Sequence, residues 1–137
     1  MPYNKVKRYM SDRFDILLIK AEKDLKAATN LLLLSDSPEE AIVFHLQQMV
    51  EKLLKAALIF YKLDYSFTHD LIFLIETLEP KDKTFSQYYD LAEKLGPFAV
   101  LARYEEGIEI DIPTINTLLP TTLLLREYIQ NLSTRPQ

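Results

Sequence analysis

Residues 41–61 read AIVFHLQQMVEKLLKAALIFY, and the fold follows from how this stretch is patterned. It has no glycine or proline, is rich in helix formers, and is mostly apolar. Just upstream, Ser37 is expected to cap a helix whose first turn holds Pro38, Glu39 and Glu40. Proline fits that position and the two acids complement the helix dipole. Apolar residues cover most of the circumference, as in a helix surrounded by others. Yet His45, Gln48, Lys52 and Lys55, spaced 3, 4 and 3, form a polar line down one face, with Glu51 beside it. In a helix built for a core, such a line calls for a cleft, an interface or water.

Upstream, a helix is expected from about 11 to 34. Phe14, Leu17, Leu18, Ala21, Leu25, Ala28 and Leu32 form its apolar stripe, while Lys20, Glu22, Lys23, Asp24 and Lys26 read as a solvated face. The short connection SDSPEE (35–40) makes the first two helices antiparallel neighbours. Downstream, Thr68 is a good N-cap for a third helix over HDLIFLIETL (69–78), which Pro80 ends. A fourth helix is expected over about 85–104, with Tyr88, Leu91, Leu95, Phe98 and Leu101 or Ala102 facing inward and an interruption at Gly96-Pro97. A polar, partly extended link, EEGIEIDIP, follows; its Ile108, Ile110 and Ile112 alternate but are too few to build a sheet. The last helix spans about 114–132, with Pro113 at its start and Pro120 as a kink. Leu118, Leu119, Leu123, Leu125, Tyr128, Ile129 and Leu132 give it an apolar surplus that hints at self-association. The reading is all-α and a single domain, 1–137.

The 137 residues suffice for one domain with a proper core. Two glycines exclude a glycine-rich phosphate loop, and the absence of cysteine excludes disulfides and Cys-based zinc sites. A net charge of -4 argues against a broad nucleic-acid surface, though not against a local basic cleft. No apolar run suits a signal peptide or a membrane span, so a soluble, cytoplasmic domain is expected.

Three polar groups stand out: His45, Gln48, Glu51, Lys52 and Lys55 on the central helix; Thr68-His69-Asp70; and Arg103-Tyr104. Each has a plain reading. The lysines snorkel, Thr68 and Asp70 cap a helix, and Arg103 sits favourably at a helix C-terminus. Taken together, the cations and amide donors suit phosphate groups, and Tyr104 or Tyr61 would stack on a base. Other chemistries fare worse. His45 and His69 are not at metal-ligand spacing, no nucleophile elbow is present, and Glu39-Glu40 and Glu105-Glu106 read as helix-end charge. Neither a metal nor a cofactor is expected.

The segments A-x-x-F-H-x-Q-Q-x-x-E-K-x-x-K-A (41–56), T-H-D-L (68–71) and A-R-Y-E (102–105) occur in an order that resembles the HEPN family. The resemblance covers about 12–132. It implies an up-and-down bundle of four main helices plus a short extra one, often a homodimer, and a partner that is a small, separately encoded nucleotidyltransferase, in some cases as a toxin–antitoxin pair. The leading expectation is a noncatalytic subunit with a nucleotide- or substrate-binding cleft lined by His45, Gln48, Glu51, Lys52, Lys55, His69, Asp70, Arg103 and Tyr104. Many members are ribonucleases that use an Arg followed, after four to six residues, by a His. Arg103 is followed by Tyr-Glu-Glu-Gly-Ile-Glu-Ile-Asp, so that motif is absent and no catalytic residue is assigned. The alternatives are a ribonuclease toxin using Arg103 with His69, and a noncatalytic dimeric interaction module.

Overall fold

The computed structural model describes residues 2–65, 67–99 and 109–134. Helix α1 spans Pro2–Leu32, α2 Glu39–Phe60, α3 Leu71–Leu78, α4 Tyr89–Leu95 and α5 Ile112–Gln130. Short 3-10 segments precede α4 at Lys83–Tyr88 and follow it at Gly96–Phe98. The chain is an all-α bundle, with no strand among the described residues.

Helix α2 is the axis. Ile42, Val43, Leu46, Met49, Val50, Leu53, Leu54, Ala57 and Leu58 are buried along its length, and it packs on α1, α5 and α3. Helices α1 and α2 run antiparallel: Phe14 lies 6.3 Å from Phe60, ring to ring, while Asp24 faces the middle of α2. Phe14, Ala21 and Ala28 fill the α1 side of this contact. The small alanines let the two backbones approach.

Boundaries differ from expectation where capping chemistry decides them. Helix α1 begins at Pro2 rather than near residue 11, because proline fits a first helical position and KVKRYM holds no breaker. The N-cap of α2 is Pro38, not Ser37, and no side chain caps it. The Ser37 hydroxyl is buried with no hydrogen-bond partner among the described residues. Asp70, not Thr68, caps α3: its carboxylate accepts from Phe73 N–H at 3.2 Å, and Thr68 Oγ1 accepts from Asp70 N–H at 3.0 Å. An aspartate accepts more strongly than a threonine at this dipole end. The expected fourth helix starts as a 3-10 segment, becomes α4, and breaks at Gly96-Pro97 as the sequence suggests. Leu101, Ala102, Glu105, Glu106 and Ile108 lie outside the described residues.

Helix α5 starts at Ile112 with Asp111 as N-cap, and Pro120 lies inside it. Its apolar surplus is absorbed within the chain: Leu118, Leu125, Ile129 and Leu132 are buried, and Leu119, Leu123 and Tyr128 partly so. Leu124 alone among the leucines of α5 stands exposed. Glu22, expected to be solvated, is instead held by Arg126, whose Nη2 donates at 3.0 Å, which ties α1 to α5.

Asp82 clamps the other end of the bundle. Its carboxylate accepts the Tyr61 hydroxyl at 2.7 Å, at the end of α2, and the Tyr128 hydroxyl from α5, while Thr84 N–H donates at 3.0 Å. Burial pushes the carboxyl upward, but the hydroxyls of Tyr128 and Tyr61 and the Thr84 contacts outweigh it and hold Asp82 below its ordinary 3.8. A depressed folded-state value adds stability above the unfolded value, and that stability is lost as pH falls through 3.8 and below. Urea midpoints measured from about pH 6 to about pH 3 are therefore expected to fall less steeply below about pH 4 for Asp82→Asn than for the parent. Parallel curves would show that the clamp carries no pH-dependent stability.

Candidate functional site

The polar line of α2 does not face open water. It meets an acid from α1, Asp24, which is buried where the sequence pattern predicts a solvated face. Asp24 is 8% exposed because it sits between Ala21 and Ala28, at helical spacing, on the side of α1 that meets α2. Its Oδ1 accepts from His45 Nδ1 at 3.0 Å, and its Oδ2 accepts from the Lys52 ammonium.

One turn further along α2 the same unit recurs. Glu51, 5% exposed, accepts from His69 Nδ1 at 2.9 Å, from Lys55 Nζ at 3.1 Å and from Gln47 Nε2 at 3.3 Å. Gln48 Nε2 donates to Gln47 Oε1 at 2.7 Å and joins the ladder from outside. Each carboxylate thus holds one lysine and one histidine, and the two units lie on one face of α2. Lys55 also lies 5.4 Å above the ring of Tyr65, a cation–π contact.

The electrostatics differ from the expected cationic cleft. Two buried carboxylates offset two lysines, so with neutral imidazoles the ladder carries no net charge. The lysines are held by acids and hydrogen bonds and are not idle snorkelling side chains. What the ladder presents outward is imidazole. A carboxylate only accepts, so each histidine gives Nδ1–H to it and leaves Nε2 as the acceptor in the neutral ring. The His69 side chain is 61% exposed, whereas His45 is more covered. Its position is fixed from both sides, by Glu51 and by the double cap of Thr68 and Asp70.

Of the expected site residues, the structure brings together His45, Gln48, Glu51, Lys52, Lys55 and His69. Asp70 adjoins them, but its carboxylate is committed to capping α3. Arg103 and Tyr104 lie outside the described residues. Tyr61, a candidate for base stacking, instead donates its hydroxyl to Asp82 and sets its ring edge-on to Phe60. Asp24 and Gln47 were missed. The signal for Asp24 was its register with Ala21 and Ala28, and for Gln47 its place four residues before Glu51. No three metal-ligating side chains converge among the described residues. No helix among them is long and apolar enough to cross a membrane.

An all-α bundle whose central helix carries a buried carboxylate ladder is a helical domain with a built polar face. The HEPN domain family model matches residues 14–132, nearly the whole chain, and the chain belongs to the HEPN family. Searches of curated proteins and of solved structures gave no match.

Proposed function

We propose that this HEPN domain is a noncatalytic nucleotide- or substrate-binding subunit that works with a separately encoded small nucleotidyltransferase. The observation that carries the reading is the doubled carboxylate–lysine–histidine unit along α2, to which α1 contributes Asp24 and the segment before α3 contributes His69. Two acids are buried in a bundle where apolar residues of similar size would be at least as stabilising. Such a network is retained for what it positions, and here that is the outward Nε2 of His69 and of His45. An acceptor at a fixed place suits a hydroxyl or an amine of a bound nucleotide, with the Gln48 amide and the partly exposed Lys52 beside it. The absence of an Arg-x4-6-His motif from the sequence weighs against ribonuclease action.

A homodimer is part of this reading. Ile16 and Ile19 stand exposed one turn apart on α1, which is apolar surface a second copy would cover.

Titration of ATP into the chain alone, and into the chain co-purified with its partner, tests the proposal. Heat is expected in at least one setting, weakened at least fivefold by His69→Ala, a change at an exposed side chain that leaves the fold intact. Absence of heat in both settings, or an affinity that His69→Ala leaves unmoved, removes the nucleotide claim. Light scattering on the same samples reads the mass of the assembly.

A further inference from the structure

The ladder ends at Lys55 over Tyr65, and beyond Tyr65 the surface opens into a cleft of about 290 Å³. Arg13 of α1, Ile59 near the end of α2, and Lys62, Leu63, Asp64, Tyr65 and Phe67 of the segment after it line the cleft. Three observations there do not follow from folding needs.

The first is Lys62. Helix α2 ends in a double reversal: Lys62 N–H donates to Ile59 C=O at 3.0 Å, and Leu63 N–H to Leu58 C=O at 2.9 Å. This turn requires a left-handed residue and normally uses glycine. Here that residue is a lysine at φ 58°, the only non-glycine residue with positive φ among the described residues. A side chain kept where its own Cβ is unfavourable points to a role for its far end. The second is that no ion pair engages Lys62 among the described residues, although it stands exposed at the cleft. The third is Phe67, a fully exposed aromatic ring on the same loop. Across the cleft, Arg13 Nη2 donates to Tyr65 Oη at 3.3 Å, which fixes a second cation and a second ring at the rim.

We infer that this cleft is a binding site, separate from the ladder, for a flat aromatic group bearing an anion: Lys62 and Arg13 hold the anion and Phe67 stacks on the ring. A phosphate oxygen accepts from the Lys62 ammonium, and the guanidinium of Arg13 supplies planar charge alongside. Asp64 on the same wall accepts from a ring amine or a sugar hydroxyl, and it keeps the cleft from drawing anions indiscriminately. A nucleoside monophosphate unit has this chemistry, whether free or at the 5′ end of a single RNA strand.

Titrations of adenosine 5′-monophosphate and of a 5′-phosphorylated RNA tetranucleotide test the site, with adenosine and inorganic phosphate as part-ligands. The parent is expected to bind one or both full ligands, and each part-ligand at least tenfold more weakly. Binding of the mononucleotide identifies the free source, and binding of the tetranucleotide alone identifies the strand end. Lys62→Gly is expected to raise the melting temperature by about 3 °C, since glycine relieves the turn, while cutting affinity at least tenfold. Phe67→Ala is expected to weaken the phosphorylated ligands and adenosine alike, by about tenfold. The inference is overturned if neither full ligand binds, or if Lys62→Gly binds as tightly as the parent. It is also overturned if His69→Ala weakens the mononucleotide as much as Lys62→Gly does, because the heat then belongs to the ladder. Conversely, loss in Lys62→Gly with none in His69→Ala supports the cleft whatever the fate of the ladder.

Discussion

Glu51→Ala is expected to destabilise the domain by about 3 kcal/mol, toward the lower end for breaking a buried ion pair. The carboxylate is nearly inaccessible and is the shared acceptor for Lys55, His69 and Gln47. Removing it leaves the Lys55 ammonium, whose side chain is 14% exposed, without its acid. The flexible lysine stem lets part of that charge escape toward water, which sets the loss below the upper limit of about 5 kcal/mol. His69 adds less, because its ring is already largely hydrated. Glu51→Gln keeps the shape and an acceptor and is expected to lose only about 1–2 kcal/mol. The paired change Glu51→Leu with Lys55→Leu removes both charges at once, and its stability should recover to about 1–2 kcal/mol below the parent, the remainder being the buried Gln47 amide that loses its acceptor. Urea denaturation followed by circular dichroism reads all three. If Glu51→Ala unfolds within about 1 kcal/mol of the parent, the pair is an ordinary surface contact and the ladder is no buried network. The paired leucine variant matters most for function: on the present reading it folds well and no longer positions His69.

The residues that made the fold legible are those whose physics is local. The apolar repeat of α2, the short 35–40 connection and the Gly96-Pro97 break each act within one or two turns, so periodicity and breaker chemistry suffice to read them. The polar line of α2 was legible for the same reason. What it faces was not, because Asp24 belongs to another helix and its burial depends on how α1 rotates against α2. A one-position change in that rotation would set Asp24 in water and make Lys52 a free cation. The caps show the same limit at short range. Thr68 and Asp70 are both good capping residues, and the choice between them rests on which carboxylate or hydroxyl reaches an N–H once His69 is drawn to Glu51. Lys62 was illegible for a different reason. Nothing in the sequence YKLDYSF (61–67) marks a left-handed lysine, since the usual signal for that turn is the glycine it lacks.

Hydrogen bonds through Asp82 link the core to the residue before Lys62, and the second large effect tests whether that link carries coupling. Phe85→Ala is expected to cost about 3–5 kcal/mol and to lower the melting temperature by about 10–20 °C. Phe85 is fully buried and meets the Tyr128 ring edge-on, with centroids 5.6 Å apart and planes at 81°. Its N–H donates to Asp82 C=O at 3.2 Å, so the ring anchors the segment that carries Asp82. Asp82 in turn holds the hydroxyl of Tyr61, the C-cap residue immediately before Lys62. A cavity at Phe85 therefore loosens the base of the turn that presents Lys62. Leu46→Ala is the matched control, since Leu46 is equally buried but lies near the opposite end of α2, and it should cost about 2–5 kcal/mol. At a temperature where both variants remain folded, hydrogen exchange is expected to speed up at Tyr61, Lys62 and Leu63 in Phe85→Ala alone. Mononucleotide affinity at the cleft should fall in that variant and hold in Leu46→Ala. Equal protection at those three amides in both variants would mean that the turn is set by α2 itself. Lys62 would then owe its strained position to the helix end and nothing to the clamp.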